Sequence, residues 1–399
     1  MTLQQRSRPR RSHSVAAMFC GIGGFERGLS SAGHRTSFGC DADPQAISVF
    51  ARHFPNVPLS RDVRHTDELC ERLPKRSDLL TAGFPCTDFS PAGDTQGFAG
   101  GRSSLVRYLF RLLDQRPFEH VLIENVPNWR SLHGGAYMRS VATAFERRGY
   151  RWAYRTIDAR AFGSPQRRKR IFFYAALEGD PREVLFRGNA APRIESWKPR
   201  ERAHGFYWTE GNRGLGWGED CVPTLKGGSA IGIPAPPAIL TTDLRLITPD
   251  IRDAERLQGF RQGWTALEET IDGERFDLRR RWTLVGNAVH AAVSRWIGDN
   301  LAVRRPYRGQ DGVAFSRGEA WPRAAYYDGV RRRAVSLSDW PVSRTAPQLE
   351  DFLVHAGKPL SERAAAGFLS RLEASSLKHP RELREALRRH ALAERAAAG

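Results

Sequence analysis

The sequence predicts an α/β protein built on an open parallel sheet with helices on both faces. Short apolar runs of four or five residues alternate with helix-like segments through about residue 176. A glycine-rich break at residues 20–24 follows the first run, and Asp41 follows the second. Strand, glycine turn, helix and strand in this order are typical of a βαβ unit in a parallel sheet.

Each element of this first region is assigned from its apolar pattern. The predicted strands are short apolar runs of the kind found in buried parallel strands, at residues 15–19, 36–40, 79–82, 120–123 and 171–174. The longer segments between them predict helices at residues 25–32, 44–53, 105–113 and 137–148. This alternation indicates parallel strands joined by helical crossovers.

The pattern changes after residue 176. Residues 177–246 are rich in glycine, proline and tryptophan and show little periodicity, which predicts a small, loop-rich domain. Helical patterning returns at residues 249–259 and 287–300. The predicted organisation is a disordered basic arm (1–12), a first domain (13–176), the loop-rich domain (177–246), a return to the first domain (247–300) and a mostly helical extension (301–399).

The composition favours a globular protein with a polyanionic partner. The chain has 399 residues, of which 40% are hydrophobic, and 62 basic against 44 acidic residues give a formal charge of +18. A coding bias toward arginine is the alternative explanation of the charge. No apolar run is long enough to span a membrane, and residues 1–12 lack the apolar core of a signal peptide. The sequence therefore predicts a soluble, cytoplasmic protein.

Five cysteines indicate neither a disulfide framework nor a metal site. Their number is odd, no C-x-x-C pair occurs, and none clusters with histidine. Cys86 is different because it follows Pro85, which has no N–H and a fixed φ and so predicts a stiff loop leaving the strand at 79–82. Such a loop can hold a nucleophilic thiol, although a small buried hydrophobe is the alternative.

Six short motifs occur in an order that resembles the cytosine C5 DNA methyltransferases over about residues 14–300. They are Phe19-Cys20-Gly21-Ile22-Gly23-Gly24, Gly83-Phe84-Pro85-Cys86, Glu124-Asn125-Val126, Gln166-Arg167-Arg168-Lys169-Arg170, Arg256-Leu257-Gln258-Gly259-Phe260 and Gly286-Asn287-Ala288-Val289. The resemblance implies a Rossmann-like, S-adenosylmethionine-dependent catalytic domain. It also implies that residues 177–246 are a target-recognition domain, while residues 301–399 lie outside it.

The resemblance also implies a covalent mechanism. Cys86 would attack carbon 6 of cytosine, and carbon 5 would then take the methyl group. Glu124 would hydrogen-bond ring nitrogen N3 and the exocyclic amine. Arg168 would contact the base oxygen O2 or a neighbouring phosphate, and Arg170 would orient the glutamate or the backbone. Alternatively, Glu124 is a solvated loop charge and the arginine run a phosphate-binding or solvated face.

S-adenosylmethionine is the implied cofactor, and no metal is expected. Gly21, Gly23 and Gly24 would let the backbone approach its methionine part, and Asp41 would hold the ribose hydroxyls. Further contacts implied by the family pattern are Phe19, Ala42, Asp62, Val63, Pro85, Leu105, Asn287, Ala288 and Val289. A dinucleotide site is disfavoured because Glu26 stands where such a site has its third glycine.

Double-stranded DNA is the implied partner, with the target cytosine flipped out of the stack. The implied DNA contacts are Ser90, Gln96, Gln166, Arg167, Arg213 and Lys226. Aromatic residues of the insert are either base readers or domain core: Trp197, Tyr207, Trp208 and Trp217. We expect a monomer on DNA, and a cognate restriction or defence component is left open as a further partner.

Three positions depart from the family pattern, namely Ala17, Thr87 and Arg261, and none removes a group that the chemistry requires. Two alternatives remain. A tRNA methyltransferase of the same superfamily would carry a Cys-Phe-Thr segment in the insert, and the chain has none. A catalytically silent DNA-binding regulator would have lost Cys86 or Glu124, and both are present. For residues 301–399 we expect partner binding or DNA clamping.

Overall fold

A computed structural model describes residues 10–84, 105–196, 198–207, 214–227, 236–267, 270–271, 273–315 and 318–393. These residues form a ten-stranded sheet, a five-stranded sheet and a two-stranded hairpin, with helices between them. Over the same ranges, no helix combines the length and the apolar character needed to cross a lipid bilayer.

The strands and helices are numbered in the order in which they occur along the chain. The large sheet contains β1 (Ser14–Met18), β2 (Arg35–Cys40), β3 (Leu59–Ser60), β4 (Leu79–Ala82), β5 (His120–Asn125), β6 (Arg151–Asp158), β7 (Lys169–Ala176), β14 (Val313–Ala314), β15 (Ala324–Tyr327) and β16 (Arg332–Ala334). The small sheet contains β8 (His204–Phe206), β9 (Gly218–Glu219), β10 (Ala238–Leu240), β11 (Leu246–Thr248) and β17 (Lys358–Pro359), and the hairpin joins β12 (Thr270–Ile271) to β13 (Glu274–Arg275). The helices are α1 (Gly24–Ser31), α2 (Pro44–His53), α3 (Thr66–Arg72), α4 (Val106–Gln115), α5 (Ala136–Glu146), α6 (Arg182–Leu185), α7 (Ile251–Leu257), α8 (Leu278–Asn287), α9 (Ala291–Ala302), α10 (Leu349–Phe352), α11 (Glu362–Glu373) and α12 (Arg381–Ala393).

The predicted parallel sheet is confirmed for half of the large sheet. Strands β3, β2, β1, β4 and β5 are neighbours in this order, and each pair is parallel. Strand β7 lies between β5 and β6 and runs antiparallel to both, so the complete sheet is mixed. The carboxyl ends of β1, β2, β4 and β5 meet at one edge, where loops can build a site.

The sequence analysis did not identify β6. Arg151, Arg155 and Asp158 place charges within the strand, which conceals an otherwise apolar run. Arg155 is nevertheless completely buried, because its guanidinium donates to the backbone oxygens of Ser338 and Gly188 at 2.9 and 2.8 Å. A buried arginine with carbonyl acceptors is not distinguishable from a surface arginine in a single sequence.

Helices cover both faces of the large sheet, as predicted. On one face, Leu109 of α4 and Phe145 of α5 pack with alternate residues of the central strands. On the other face, Leu29 of α1 and Ile297 of α9 pack with the remaining residues of the same strands. The central strands β4 and β5 are therefore buried on both faces, which explains their continuous apolar runs in the sequence.

The small sheet, in the order β17-β11-β10-β8-β9, is sandwiched between two layers of helices. Ile239 of β10 packs with α7 and α8, which belong to the return segment. Its neighbour Leu240 packs on the opposite face with α11 and α12. The period-two alternation of side chains along β10 produces these two contacts.

The C-terminal extension contains both strands and helices, although the sequence predicted a mostly helical segment. Strand β15 pairs with β6 and extends the large sheet, with β16 and β14 beyond it. Helices α11 and α12 do form close to the predicted positions. The strand at 324–327 has only four residues, two of them alanine, and such a short run gives no clear period.

The helix predicted at residues 287–300 corresponds to α9, which begins four residues later than expected. α8 ends at Asn287 and α9 begins at Ala291. The carbonyl of Ala288, in the break, accepts hydrogen bonds from Arg168 Nη2 at 2.7 Å and Gln258 Nε2 at 3.4 Å. These side-chain donors stabilise a non-helical connection at the edge of the site.

Candidate functional site

A cavity of about 660 Å³ lies at the carboxyl edge of the parallel strands. It is bordered by the ends of β1, β2, β4 and β5, by the arginines of β7 and by the break between α8 and α9. Fourteen of the predicted site residues line it: Phe19, Gly21, Gly24, Asp41, Ala42, Asp62, Val63, Leu105, Glu124, Arg168, Arg170, Asn287, Ala288 and Val289. Five others, Pro85, Cys86, Ser90, Gln96 and Arg213, lie outside the described residues.

The glycine loop after β1 packs closely on the break between α8 and α9. Gly21 and Gly23 have φ values of 53° and 86°, which favour glycine. A Cβ on Gly24 would lie 2.3 Å from the backbone oxygen of Val289, so a side chain there is sterically excluded. Gly23 is absent from the cavity lining, and a Cβ there would lie 2.6 Å from the Phe54 ring. Its role in the structure is to shape the turn.

Asp41 holds the glycine loop from the end of β2. Its Oδ2 accepts a hydrogen bond from the N–H of Gly21 at 2.7 Å, and its Oδ1 accepts from the N–H of Asp43 at 3.0 Å. Burial raises the pKa of Asp41 above its usual value, against these two hydrogen bonds. Each carboxylate oxygen can accept a second hydrogen bond, so Asp41 keeps acceptor capacity toward the cavity.

Asp62 lies after β3 at the same cavity. Its carboxylate accepts from the backbone N–H of Arg64 at 2.8 Å and from Arg64 Nε at 2.9 Å. The hydrogen bond from the Arg64 side chain holds the pKa of Asp62 below its usual value. Arg64 also lines the cavity, although the sequence analysis did not identify it.

Glu124 is the second-to-last residue of β5 and forms an ion pair inside the cavity. Its Oε1 lies 3.0 Å from Arg170 Nε, and both side chains are largely buried. Burial raises the pKa of Glu124, while Arg170 and then Arg168 oppose that rise. Within the described residues, no hydrogen bond of good geometry reaches Oε1. The carboxyl group can therefore share a proton or a hydrogen bond with a bound group.

Asn125 connects this strand end to the beginning of the Cys86 loop. Its Nδ2 donates to the backbone oxygen of Phe84 at 3.2 Å, and its Oδ1 accepts from the N–H of Val126 at 2.8 Å. Phe84 is buried and packs edge-on against Trp129 with ring centroids 6.2 Å apart. These contacts fix the chain two residues before Cys86.

Arg168 has a different environment from the one expected. Its guanidinium donates to the backbone oxygens of Ala288 at 2.7 Å, Gly286 at 3.1 Å and Leu225 at 3.4 Å. These bonds attach β7 to the end of α8 and to the segment before residue 228. The contact of Arg168 with the base stays a prediction, and Arg170 is the arginine that contacts Glu124.

The expected DNA contacts are also partly corrected. Gln166 is completely buried, and its Nε2 donates to Leu257 O at 2.9 Å while its Oε1 accepts from the N–H of Leu225 at 3.2 Å. It therefore joins three chain segments and offers nothing to a ligand. Arg167 Nη2 donates to Gly216 O at 2.7 Å, and Lys226 Nζ lies 4.8 Å from the Tyr207 ring centroid.

The aromatic residues of the insert favour the core alternative where they are described. Tyr207 and Trp217 are buried, and the Trp217 ring stacks on His204 with centroids 4.6 Å apart. Trp197 and Trp208 lie outside the described residues. Several further residues line the cavity although they were not predicted as site residues. Seven of them belong to the quoted motifs, namely Cys20, Ile22, Gly83, Phe84, Asn125, Val126 and Gly286, whereas Phe25, Cys40, Asp43, Ala46 and Leu284 lie outside the motifs.

Known proteins are similar to this chain in sequence and in fold. Residues 13–205 match the model of the C-5 cytosine-specific DNA methylase family. The type II methyltransferase M2.BsuMI of Bacillus subtilis (strain 168) is 41% identical over 371 residues, which cover 90% of this chain and 92% of that protein. The crystal structure of S. pombe Dnmt2 methyltransferase covers 72% of this chain and 98% of its own at 16% identity and a TM-score of 0.53.

The structure of the Entamoeba histolytica methyltransferase EhMeth gives a similar result, with 12% identity, a TM-score of 0.51 and coverage of 73% of this chain and 98% of its own. At these identities the two structures support the fold alone. The family follows from the sequence relatives, because the 41% identity extends along nearly the whole of both chains. This chain therefore belongs to the C-5 cytosine-specific DNA methylase family and is a DNA cytosine-5 methyltransferase.

Proposed function

We propose that this enzyme transfers a methyl group from S-adenosylmethionine to carbon 5 of a cytosine flipped out of a specific duplex DNA sequence. The observation that carries the proposal is a single cavity that combines the glycine loop and Asp41 with the Glu124–Arg170 ion pair. The first two suit a nucleoside cofactor, and the ion pair suits a polar heterocycle. The relative M2.BsuMI is a type II methyltransferase, and we propose a restriction–modification role here as well.

The residues of the cavity fit S-adenosylmethionine. Gly21 lines the cavity, and a Cβ there would meet no atom within 4 Å, so the backbone is open to close approach by a ligand. Asp41 would accept hydrogen bonds from the ribose hydroxyls, Asp62 would accept one from the adenine amine, and Val63 would pack on the ring. The bound cofactor would supply an electrophilic methyl group on a sulfonium.

Glu124 and Arg170 would prepare the cytosine ring for attack. Glu124 would hold N3 and the exocyclic amine, and its raised pKa allows it to share a proton with N3 as negative charge develops on the ring. Arg170 lies beside that carboxyl group. It would fix the orientation of the carboxyl and offer its remaining N–H groups to the base oxygen O2. Arg168 would act indirectly, by holding the break between α8 and α9 against the cavity.

Cys86 would supply the nucleophile. Its thiolate would form a bond to carbon 6, which moves the electron pair of the 5,6 double bond toward carbon 5. Carbon 5 would then use that electron pair to take the methyl group, whose bond to the sulfonium breaks and leaves its electrons on a neutral thioether sulfur. A base would next remove the carbon 5 proton. The electrons of that C–H bond would re-form the double bond and expel the thiolate. Asn125 and Phe84 would position the start of the loop that carries Cys86.

Recognition of the DNA sequence would come from the small sheet and the loops of residues 177–246. Phosphate contacts from a chain of formal charge +18 would supply affinity without selectivity. The aromatic side chains described in this region are buried, so base contacts would come from its loops and basic residues. We propose a double-stranded DNA substrate, with a cognate nuclease as the biological partner.

Base-resolution sequencing of 5-methylcytosine tests this proposal. Host DNA would be sequenced after expression of the wild type, Cys86→Ala, Glu124→Gln and the control Cys70→Ala, which alters a half-exposed cysteine on α3 outside the cavity. We expect methylation of one short motif with the wild type and Cys70→Ala, none with Cys86→Ala and a reduction of at least 100-fold with Glu124→Gln. Methylation of tRNA alone, or activity in Cys86→Ala, would refute the proposal.

A further inference from the structure

A carboxyl group without a role in the proposed reaction lies beneath the glycine loop. Glu26 is the third residue of α1 and is only 1% exposed. Thr81 Oγ1 donates to Glu26 Oε1 at 3.3 Å, whereas Oε2 has no hydrogen-bond partner among the described residues. Buried polar atoms in folded proteins normally have partners, so this carboxyl group is held in the interior without full local compensation.

The strands beneath Glu26 place it behind the glycine loop, next to the cavity but not in its lining. Ala17 of β1 pairs in register with Thr81 of β4. Val15 and Leu79, two residues earlier on these strands, pack with α1, so Ala17 and Thr81 face α1 as well. The small Ala17 side chain leaves room for the Glu26 carboxyl group. That group therefore lies over the strand ends that lead into the cavity-lining residues 19–21 and 83.

Few charged groups lie close enough to Glu26 to compensate the charge of its carboxylate. Asp41 and Cys20 are the titratable side chains on the strand ends beside it, and Asp41 is also acidic. Helix α9 and the residues before it face α1 with Val289, Ala291 and Ser294, which do not titrate. Burial raises the pKa of Glu26 to about 7, and the charge of Asp41 adds to the rise. In the described part of the chain, no cation acts on this carboxyl group.

We propose that Glu26 is a positioning residue that acts as a buried counter-charge for the cationic methionine end of S-adenosylmethionine, whose binding releases a proton from Glu26. This inference rests on the proposed function. Glu26 does not line the cavity, so it acts across the glycine loop through its charge. A cation that enters beside a half-protonated carboxyl favours the ionised form. Cofactor binding and proton release are therefore linked, and the affinity increases with pH.

Isothermal titration calorimetry of the full chain with S-adenosylmethionine alone tests the linkage. Titrations in buffers of different ionisation enthalpy give the number of protons released, between pH 6.0 and 7.5, where the ligand's amino group stays mainly protonated. If binding lowers the pKa of Glu26 by about one unit, the wild type releases about 0.4 proton at pH 7. The same shift increases its affinity by up to about eightfold at pH 7.5 relative to the acidic limit.

Three variants separate this role from a structural one. Glu26→Gln should release at least threefold fewer protons and bind with a nearly constant affinity across this range. Glu26→Asp should restore part of the release. Arg27→Gln changes the exposed neighbour on the same helix and should match the wild type. Equal proton release by Glu26→Gln and the wild type would overturn the inference, whereas a wild type that does not bind S-adenosylmethionine would overturn the proposed function itself.

Residues 349–393 pack against the small sheet. Strand β17 pairs with β11 at the edge of the small sheet. Leu383 and Leu387 of α12 are 1% exposed and belong to the same apolar cluster as Phe206 and Leu240. The outer face of the small sheet is thus closed by the C-terminal helices and not by residues 177–246 themselves.

Two buried carboxylates attach this segment to the rest of the protein. The N–H of Leu349 donates to Asp220 Oδ1 at 2.6 Å, and the N–H of His355 donates to Asp253 Oδ2 at 3.0 Å. We infer that residues 349–393 are the second half of the recognition domain and position its DNA-reading loops. This inference also rests on the proposed function.

Substitutions in α12 test this second inference. We expect the double variant Leu383→Ala with Leu387→Ala to retain S-adenosylmethionine affinity within twofold and to lose at least tenfold in affinity for duplex DNA containing its methylation site. Arg389→Ala, at an exposed position of the same helix, is the control for lost charge and should retain site preference. Wild-type affinity and site preference in the double variant would overturn the inference. A wild type without any site preference would instead contradict the proposed function.

Discussion

The ion pair between Glu124 and Arg170 gives the most direct test of the electrostatics of the cavity. Arg170→Met removes the cation while keeping an apolar side chain of similar length. With Nε 3.0 Å from Oε1, charge centres about 4 Å apart at an effective dielectric constant of about 20 interact by about 4 kcal/mol. Breaking a buried pair by removing one partner costs about 3–5 kcal/mol, because the other charge stays buried without compensation. We therefore expect the free energy of unfolding to fall by about 3 kcal/mol at pH 8.

The pH dependence of this loss identifies its cause. Burial already holds the pKa of Glu124 above its usual value, and Arg170 is the largest influence that lowers it. Removing Arg170 raises that pKa further, so in the variant Glu124 is protonated at a higher pH. A carboxyl group with a raised pKa in the folded protein destabilises it above that pKa, and this penalty disappears as the pH falls through it. The difference from the wild type should therefore shrink between pH 8 and pH 5.

Urea denaturation of four proteins measures these effects: the wild type, Arg170→Met, Glu124→Gln and the double variant. We expect the double variant to be more stable than the sum of the two single losses implies, with a coupling of about 2 kcal/mol or more at pH 8. A loss below about 1 kcal/mol, or a loss that stays constant from pH 8 to pH 5, would refute the argument that a buried charge is left unpaired.

Three further predictions concern two residues that line the cavity and a buried histidine at the other end of β5. Gly24→Ala places a Cβ 2.3 Å from the backbone oxygen of Val289 and should weaken S-adenosylmethionine binding at least tenfold by calorimetry. The control Gly367→Ala on α11, where a Cβ meets no atom within 4 Å, should leave binding unchanged. Arg168→Met removes three hydrogen bonds to backbone oxygens and should lower the free energy of unfolding in urea by at least about 2 kcal/mol; a change below about 0.5 kcal/mol would contradict the assigned role. Burial lowers the pKa of His120 to about 3, so its contribution to stability is lost as the pH falls below the unfolded value, by roughly 2 kcal/mol at pH 5. His120→Asn should therefore flatten the fall in thermal midpoint between pH 7 and pH 5, and an unchanged slope would contradict this origin.

The sequence predicted the parallel half of the large sheet because those strands are apolar on both faces. The predicted bounds of α2 and β4 match the structure. The antiparallel half was harder to predict, since β6 includes the buried Arg155, whose partners are backbone oxygens more than 30 residues away. Strand β15 consists of four residues that acquire their conformation from pairing with β6. Non-local pairing of this kind leaves little trace in local sequence patterns.

For the cavity, motif order predicted most of the lining but not the partners of each side chain. Gln166 and Arg168 belong to one motif with Arg170, yet only Arg170 is paired with Glu124. The difference follows from position, because Gln166 and Arg168 precede β7 and meet backbone oxygens of other segments, whereas Arg170 lies within β7 beside the end of β5. Arg168 meets the carbonyls of the break between α8 and α9, which the sequence analysis had assigned to one continuous helix. The expected role of Arg168 came from its motif, and a motif carries no information about these backbone partners.

The same connection links the two halves of the proposed enzyme. Gln166 and Arg168 both form hydrogen bonds to Leu225 within the insert. They also bind the return segment, Gln166 through Leu257 and Arg168 through Ala288. Movement of the recognition domain on DNA would thus be transmitted to β7, on which Arg170 contacts Glu124. If this coupling operates, duplex DNA containing the methylation site should alter the affinity for S-adenosylmethionine in the wild type, and S-adenosylmethionine should alter DNA affinity by the same factor. Gln166→Ala should reduce both factors equally. Unequal factors in the wild type would show that the two binding measurements do not report the same equilibrium.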